Sequence, residues 1–220
     1  MKKKIVRRLF AADAEAALSE VHPVLRRVYA ARAVHSIASV DRELEQLLPY
    51  QSMMGIEQAV EVLAHAVMHN KKILVVGDFD ADGATSTAVA IRALRSFGFD
   101  NAEYLVPNRF NFGYGLTPEL VNVAKDLQPY LILTVDNGIA NHAGVDAAKA
   151  LGIKVVITDH HLAAQTLPNA DAIVNPNQPG DVFSSKSLAG VGVIFYVMLA
   201  LRRHLVALDW FKTRNIPEPN

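Results

Sequence analysis

The 220-residue chain contains no cysteine. That excludes disulfides, thiolate metal sites and cysteine nucleophiles together, and it agrees with a reducing compartment. Net charge is missing too, since 22 Lys and Arg balance 22 Asp and Glu. No global basic field points to a nucleic acid, so any such contact needs a local track of cations. No apolar run reaches membrane length. The most hydrophobic stretch, residues 188–201, falls short of the roughly 20 residues a spanning helix needs and reads as a buried core helix. MKKKIVRR at the start is basic, but LFAADAEAALSE after it carries acids and lacks the apolar core of a signal peptide. The expectation is a cytoplasmic protein with no membrane partner.

What is present suits a globular fold. With 51% hydrophobic and 20% charged residues, the chain can build a sizeable core and is too apolar for extensive disorder. Residues 1–70 read as a helical amino-terminal region: VLRRVYAARA, then VDRELEQLL closed by Pro49, then IEQAVEVLAHAVMHN with apolar residues at helical spacing. His22, His35, His65 and His69 are scattered there and read as surface or capping histidines.

From residue 71 to 220 the period changes. Short apolar runs alternate with helical patterns, which marks βα units and a parallel sheet. The predicted strands are ILVV (73–76), AEYLV (102–106), YLILTV (130–135), IKVVIT (153–158) and AIV (172–174). The expected fold is α/β, a mainly parallel sheet flanked by helices, behind the helical amino-terminal region.

Open α/β sheets bind ligands beyond the carboxyl ends of their strands. There the sequence places Asp78, Asp80 and Asp82 after ILVV, Asp136 after YLILTV, and Asp159, His160 and His161 after IKVVIT. No Lys or Arg occurs between residues 77 and 91, so the first three carboxylates would repel one another unless a cation sat between them. A helix entered through Gly83, Thr85 and Ser86 is expected to follow. Carboxylate and imidazole ligands without thiolate suit Mn²⁺ or Mg²⁺, and this many could hold two ions bridged by one carboxylate. Such a pair activates water against a phosphoester or phosphoanhydride. In the 107–115 loop, Asn108, Arg109 and Tyr114 are candidates for gripping a phosphate or stacking on a base. The polar run 184–187 before Gly190 reads either as a capping loop or as a phosphate cradle.

GDFDADG, VDNG and DHH, in that order, resemble the first three motifs of the DHH phosphoesterase superfamily. VPNRFNFGYGL (106–116), IVNPNQP (173–179) and KSLAGVGVIFY (186–196) are similar to segments of its RecJ branch of single-strand-specific 5′ to 3′ exonucleases. By that resemblance Asp80 and Asp82 are metal ligands, Asp136 the bridging ligand, and His160 a ligand. His161 faces the scissile phosphate, and Asp159 orients an imidazole from behind. Position 76 is Val where some members carry His, a loss that Asp78 could make good. No counterpart of the fourth-motif Asp is recognisable before Asn220, Asp209 lacking the surrounding pattern.

The resemblance implies a nuclease acting on single-stranded DNA in repair and recombination, with a helicase and a single-strand-binding protein as partners. It also implies an amino-terminal portion of a longer protein, weakly active or inactive alone. Three other functions stay open: a DHH-type phosphodiesterase or oligonucleotide nuclease for small nucleotides, a non-catalytic DNA-binding scaffold, and an aspartyl-phosphate phosphatase. The last is disfavoured because Ala84 stands where its motif expects Thr or Val.

Overall fold

Ile73 and Val75 pack into one hydrophobic core and Leu74 and Val76 into another, all fully buried. Side chains of a strand alternate between faces, so an unbroken apolar run is what a sheet covered on both sides requires. These residues form β1 (Ile73–Val76) of a five-stranded parallel sheet. The other strands are β2 (Ala102–Leu105), β3 (Leu131–Val135), β4 (Lys154–Thr158) and β5 (Ala172–Val174), in the spatial order β2-β1-β3-β4-β5. All five coincide with the expected runs to within one residue at either end. The computed structural model describes residues 4, 6, 8–10, 12–41 and 43–219, apart from the side chains of Ala12, Ala14 and Arg109.

The chain divides into two compact units, Met1–Leu48 and Pro49–Asn220. The first contains α1 (Ala12–Ala16) and α2 (Pro23–Ala30). The VDRELEQLL segment, expected as a helix, forms among its described residues only a 3-10 turn at Leu44–Gln46. Residues 43–49 are exposed, and a helix with no buried apolar face does not recover the entropy of ordering.

The second unit holds α3 (Ile56–Met68), α4 (Ala81–Ser96), α5 (Arg109–Phe112), α6 (Pro118–Ala124), α7 (His142–Ala150), α8 (Gly190–Ala207) and α9 (Trp210–Arg214). Helices α3, α4, α8 and α9 cover one face of the sheet, and α6 and α7 the other. The α3 helix, grouped by its sequence with the amino-terminal helices, packs on α8 and β5. Among the described residues α8 is the one helix long and apolar enough to cross a membrane. Its packing against α3 and α4 makes it a core helix.

The sheet order has a functional consequence. From β1 the chain runs outward to β2, then returns past β1 to β3, so the direction of winding reverses between β1 and β3. Crevices open beyond the carboxyl ends of strands at such a reversal. The residues there are the aspartates that follow β1 and β3.

Candidate metal centre

Asp78 leaves β1 almost fully buried, and its Oδ1 accepts the Phe79 amide at 2.7 Å. Asp80 is the N-cap of α4, its Oδ1 accepting the Gly83 amide at 2.9 Å. The helix therefore starts at Ala81, two residues before the expected entry, because a carboxylate one residue earlier already satisfies a first-turn N–H. Gly83 is required at that turn, since a Cβ there would run into the Asp78 backbone.

Asp82 sits in the first turn of α4 but reaches across to α8. Its Oδ2 accepts the Gly190 amide and its Oδ1 the Val191 amide, each at 2.8 Å. Two of the N–H groups that a helix start leaves without intrahelical partners are thereby satisfied from another helix. The phosphate-cradle alternative for the loop before α8 loses its donors by the same contacts. Lys186 in that loop is tied down as well, donating to the Pro176 and Asp181 carbonyls at 2.6 and 2.9 Å.

Asp136 directly follows β3 with φ +61°, in the left-handed region, and is 1% exposed. The turn is held by Asn137, whose Nδ2 donates to Val76 O at 3.1 Å and Val135 O at 2.9 Å, pinning the ends of β1 and β3 together. Asp136 Oδ1 lies 3.1 Å from His160 Nε2 but finds no hydrogen-bond partner of acceptable geometry among the described residues. Gly190 presses on its other side; a Cβ there would fall on the carboxylate. Burial, then the charges of Asp82, Asp80 and Asp159, push the Asp136 carboxyl up to about 7, against an opposing pull from His161.

After β4, Asp159 organises the loop. Its Oδ1 accepts the amides of His160 and His161 at 2.7 and 3.1 Å and His161 Nδ1 at 2.7 Å, while Oδ2 accepts the Ile139 amide at 2.9 Å. Burial alone would raise this carboxyl, but the His161 ring and these amides outweigh it and hold it low. The Asp159 hydrogen bond in turn raises His161, against a smaller opposing effect of burial. His160 Nε2 lies 3.6 Å from Asp82 Oδ2. The backbone of the pair is held by Asn177, which donates to His160 O at 2.6 Å, and Asn175, which donates to His161 O at 3.0 Å.

Ligand atoms of Asp78, Asp80 and Asp136 lie within 4.8 Å of one another, as do those of Asp136, His160 and His161. Asp136 belongs to both sets. A buried carboxylate oxygen without a hydrogen bond, a carboxyl raised toward neutrality by neighbouring carboxylates, and oxygen-rich ligands with imidazole on one side all fit hard divalent cations. His161 stands with the second set.

Tyr114 donates to Asp136 O at 3.3 Å, and its hydroxyl is 3.5 Å from His161 Nε2; burial, then the surrounding carboxylates, raise its pKa strongly. Asn108 is exposed and caps α5 by accepting the Phe110 amide at 3.0 Å. Arg109 opens α5, and its side chain lies outside the described residues. Asp209 is remote. It is exposed and paired with Lys212, and the next residue, Trp210, donates to Phe97 O at the far end of α4. That point is about 22 Å along the helix from Asp82.

Asn137, Asn175 and Asn177 had no role assigned from sequence, and Gly190 was read only as a helix start able to receive a phosphate. The N-G and N-P-N spellings mark turns, but nothing local says which carbonyls those turns will hold.

A parallel α/β sheet with this crevice defines the class, and the DHH family, N-terminal domain, matches residues 72–215. The chain belongs to that family. Along its whole length it is 54% identical over 221 aligned residues to the single-stranded-DNA-specific exonuclease RecJ of Escherichia coli (strain K12), and it is 41% identical over 149 residues to RecJ of Bacillus subtilis (strain 168). The chain spans 38% of the length of the first relative and 19% of the second. Among solved structures, RecJ of Thermus thermophilus in complex with Mn²⁺ superposes with a TM-score of 0.64 at 32% identity, covering 94% of this chain and 28% of that one. A second structure, of exonuclease RecJ bound to manganese, gives a TM-score of 0.63 at 33% identity over 79% of this chain and 41% of that one.

Proposed function

We propose that this chain carries the metal-dependent nucleolytic centre of a 5′ to 3′ exonuclease that hydrolyses phosphodiesters of single-stranded DNA in repair and recombination. The observation that carries the reading is Asp136, one buried carboxylate common to two ligand sets at the switch point of the sheet. The RecJ relatives and their Mn²⁺-bound structures support the substrate class and the metal.

Asp78, Asp80 and Asp136 would hold one ion, and Asp136 with His160, assisted by Asp82, a second. When bound, Mn²⁺ or Mg²⁺ supplies an acidified water and neutralises charge on the phosphate. Asp159 keeps a proton on His161 Nδ1 and favours the imidazolium, so Nε2 can donate to a phosphoryl or leaving oxygen. Tyr114 keeps its hydroxyl proton and limits the travel of that ring. Asn108 and Arg109, at the start of α5 in the segment that leads to Tyr114, would be contacts for the nucleotide. The DNA partner is then a free single strand, of the kind a helicase exposes and a single-strand-binding protein coats, and the compartment is the cytoplasm.

Calorimetric titration of the chain with Mn²⁺, beside digestion of a long 5′-phosphorylated single strand and of dinucleotides by a protein of the relatives' length, tests the proposal. Expected are Mn²⁺ binding by the chain, lost in Asp136→Asn, and digestion of the long strand in preference to dinucleotides. The 220 residues alone should digest weakly or not at all. Failure to bind Mn²⁺ would favour a non-catalytic scaffold, and preference for dinucleotides a small-nucleotide phosphodiesterase.

A further inference from the structure

His65 and His69 stand one turn apart near the end of α3, both exposed, their rings stacked with centroids 4.2 Å apart and 27° between planes. Both Nδ1 atoms face oxygen. His69 Nδ1 lies 2.9 Å from the His65 carbonyl, which can only accept, so the neutral ring carries its proton on Nδ1 and leaves a lone pair on Nε2. His65 Nδ1 lies 3.2 Å from Tyr130 Oη, and a proton on that nitrogen makes Oη the acceptor and frees Nε2 in the same way.

Histidines that ligate metals usually donate the second ring N–H to an oxygen, which fixes tautomer and ring orientation. His69 is such an imidazole, and His65 is one in the tautomer that donates to Tyr130; they stand at i and i+4, His65 in the last turn of α3 and His69 at its C-cap. We propose that His65 and His69 chelate a borderline divalent cation of the zinc, nickel or copper(II) type, with Tyr130 orienting the His65 ring and water filling the remaining positions. Imidazole nitrogens favour these ions, whereas Mn²⁺ and Mg²⁺ prefer the oxygen-rich centre. The two sites are also separated in space. Tyr130 immediately precedes β3, so the pair lies at the amino ends of the strands, and the five residues of β3 put about 17 Å between that edge and Asp136. The pair stands on its own geometry, independent of whether the chain is a nuclease.

The test is calorimetry with Ni²⁺ on the 220-residue chain already saturated with diamagnetic Mg²⁺, together with the paramagnetic broadening that Ni²⁺ causes in assigned imidazole NMR signals. A saturable phase of one equivalent is expected, with His65 and His69 broadened first. His65→Ala and His69→Ala should each remove that phase while circular dichroism stays unchanged, and Tyr130→Phe should weaken it about 10-fold. Asp136→Asn should leave it in place. An isotherm unaltered in both alanine variants, or broadening confined to His160 and His161, overturns the proposal.

Discussion

The Asp82 carboxylate accepts the backbone amide of Gly190, 108 residues further along the chain, at 2.8 Å. With the neighbouring contact to Val191, a residue at the start of α4 holds down the start of α8 beside the metal edge. Asp82→Ala should strand two amides at a helix start and lower stability by about 1–3 kcal/mol in urea denaturation. Hydrogen exchange should speed up at Gly190 and Val191. A variant with wild-type exchange there would show that the two contacts carry no stability.

Gly190→Ala probes the same junction from the other side. Its Cβ would fall on the Asp136 carboxylate, so the helix start or the aspartate must shift. A loss of about 1–3 kcal/mol of stability is expected for overpacking of this kind. Mn²⁺ affinity should fall in parallel, measured by calorimetry. Unchanged affinity would mean that Asp136 tolerates displacement.

The raised carboxyl of Asp136 has a definite sign in pH. Its folded value of about 7 lies above the ordinary 3.8, so the folded state binds this proton more tightly than the unfolded chain. The stability it contributes to the metal-free protein is complete below the ordinary carboxylate pKa and is lost as pH rises through about 7. Mn²⁺ competes with that same proton, so its affinity should climb over the same interval. Thermal melts of metal-free and Mn²⁺-loaded protein, from mildly acidic to mildly alkaline pH, should therefore diverge, and Asp136→Asn should flatten both trends.

Asp159 should be visible in a rate profile. Its hydrogen bond favours the charged form of His161, so Asp159→Asn in an active protein of the relatives' length should move the alkaline limb of activity to lower pH. His161→Ala should reduce kcat by about 10²–10⁴-fold, the usual range for a positioned proton donor. An alkaline limb that stays in place in Asp159→Asn would remove His161 from the titrating step.

Asp171 allows a stability test away from the site. It accepts from Lys149 Nζ and the Val155 amide at 2.9 Å each and from Lys154 Nζ at 3.2 Å. Burial alone would raise its carboxyl, but these donors outweigh it and hold it below the ordinary range. Its contribution is present above the ordinary carboxylate pKa and lost as pH falls through the lowered one. Asp171→Asn should lower stability by about 1–3 kcal/mol at neutral pH, with the difference from wild type shrinking on acidification.

Much of this architecture was legible in the residues themselves. ILVV and AIV became strands over the same residues that their apolar runs mark, because a strand buried on both faces must be apolar throughout. Thr117 and Pro118 begin α6 as their capping chemistry requires. The acidic and imidazole residues after β1, β3 and β4 were identifiable as one rim, since parallel strands send their carboxyl ends the same way. The 43–49 segment misled because helical spacing of apolar residues says nothing about whether a partner exists to cover them.

The sequence by itself determined the parallel sheet, the chemical type of the ligands and the rim at which they gather, all of which follow from periodicity and strand direction, properties of short stretches. Only the tertiary structure decided that Asp136 is common to two candidate ligand sets, that Asp82 holds a distant helix by its amides, that Asn177 donates to the His160 carbonyl, and that Tyr130 meets His65. Each of these is a contact between groups 17 or more residues apart. Packing of the two cores sets such distances, and no local pattern encodes them.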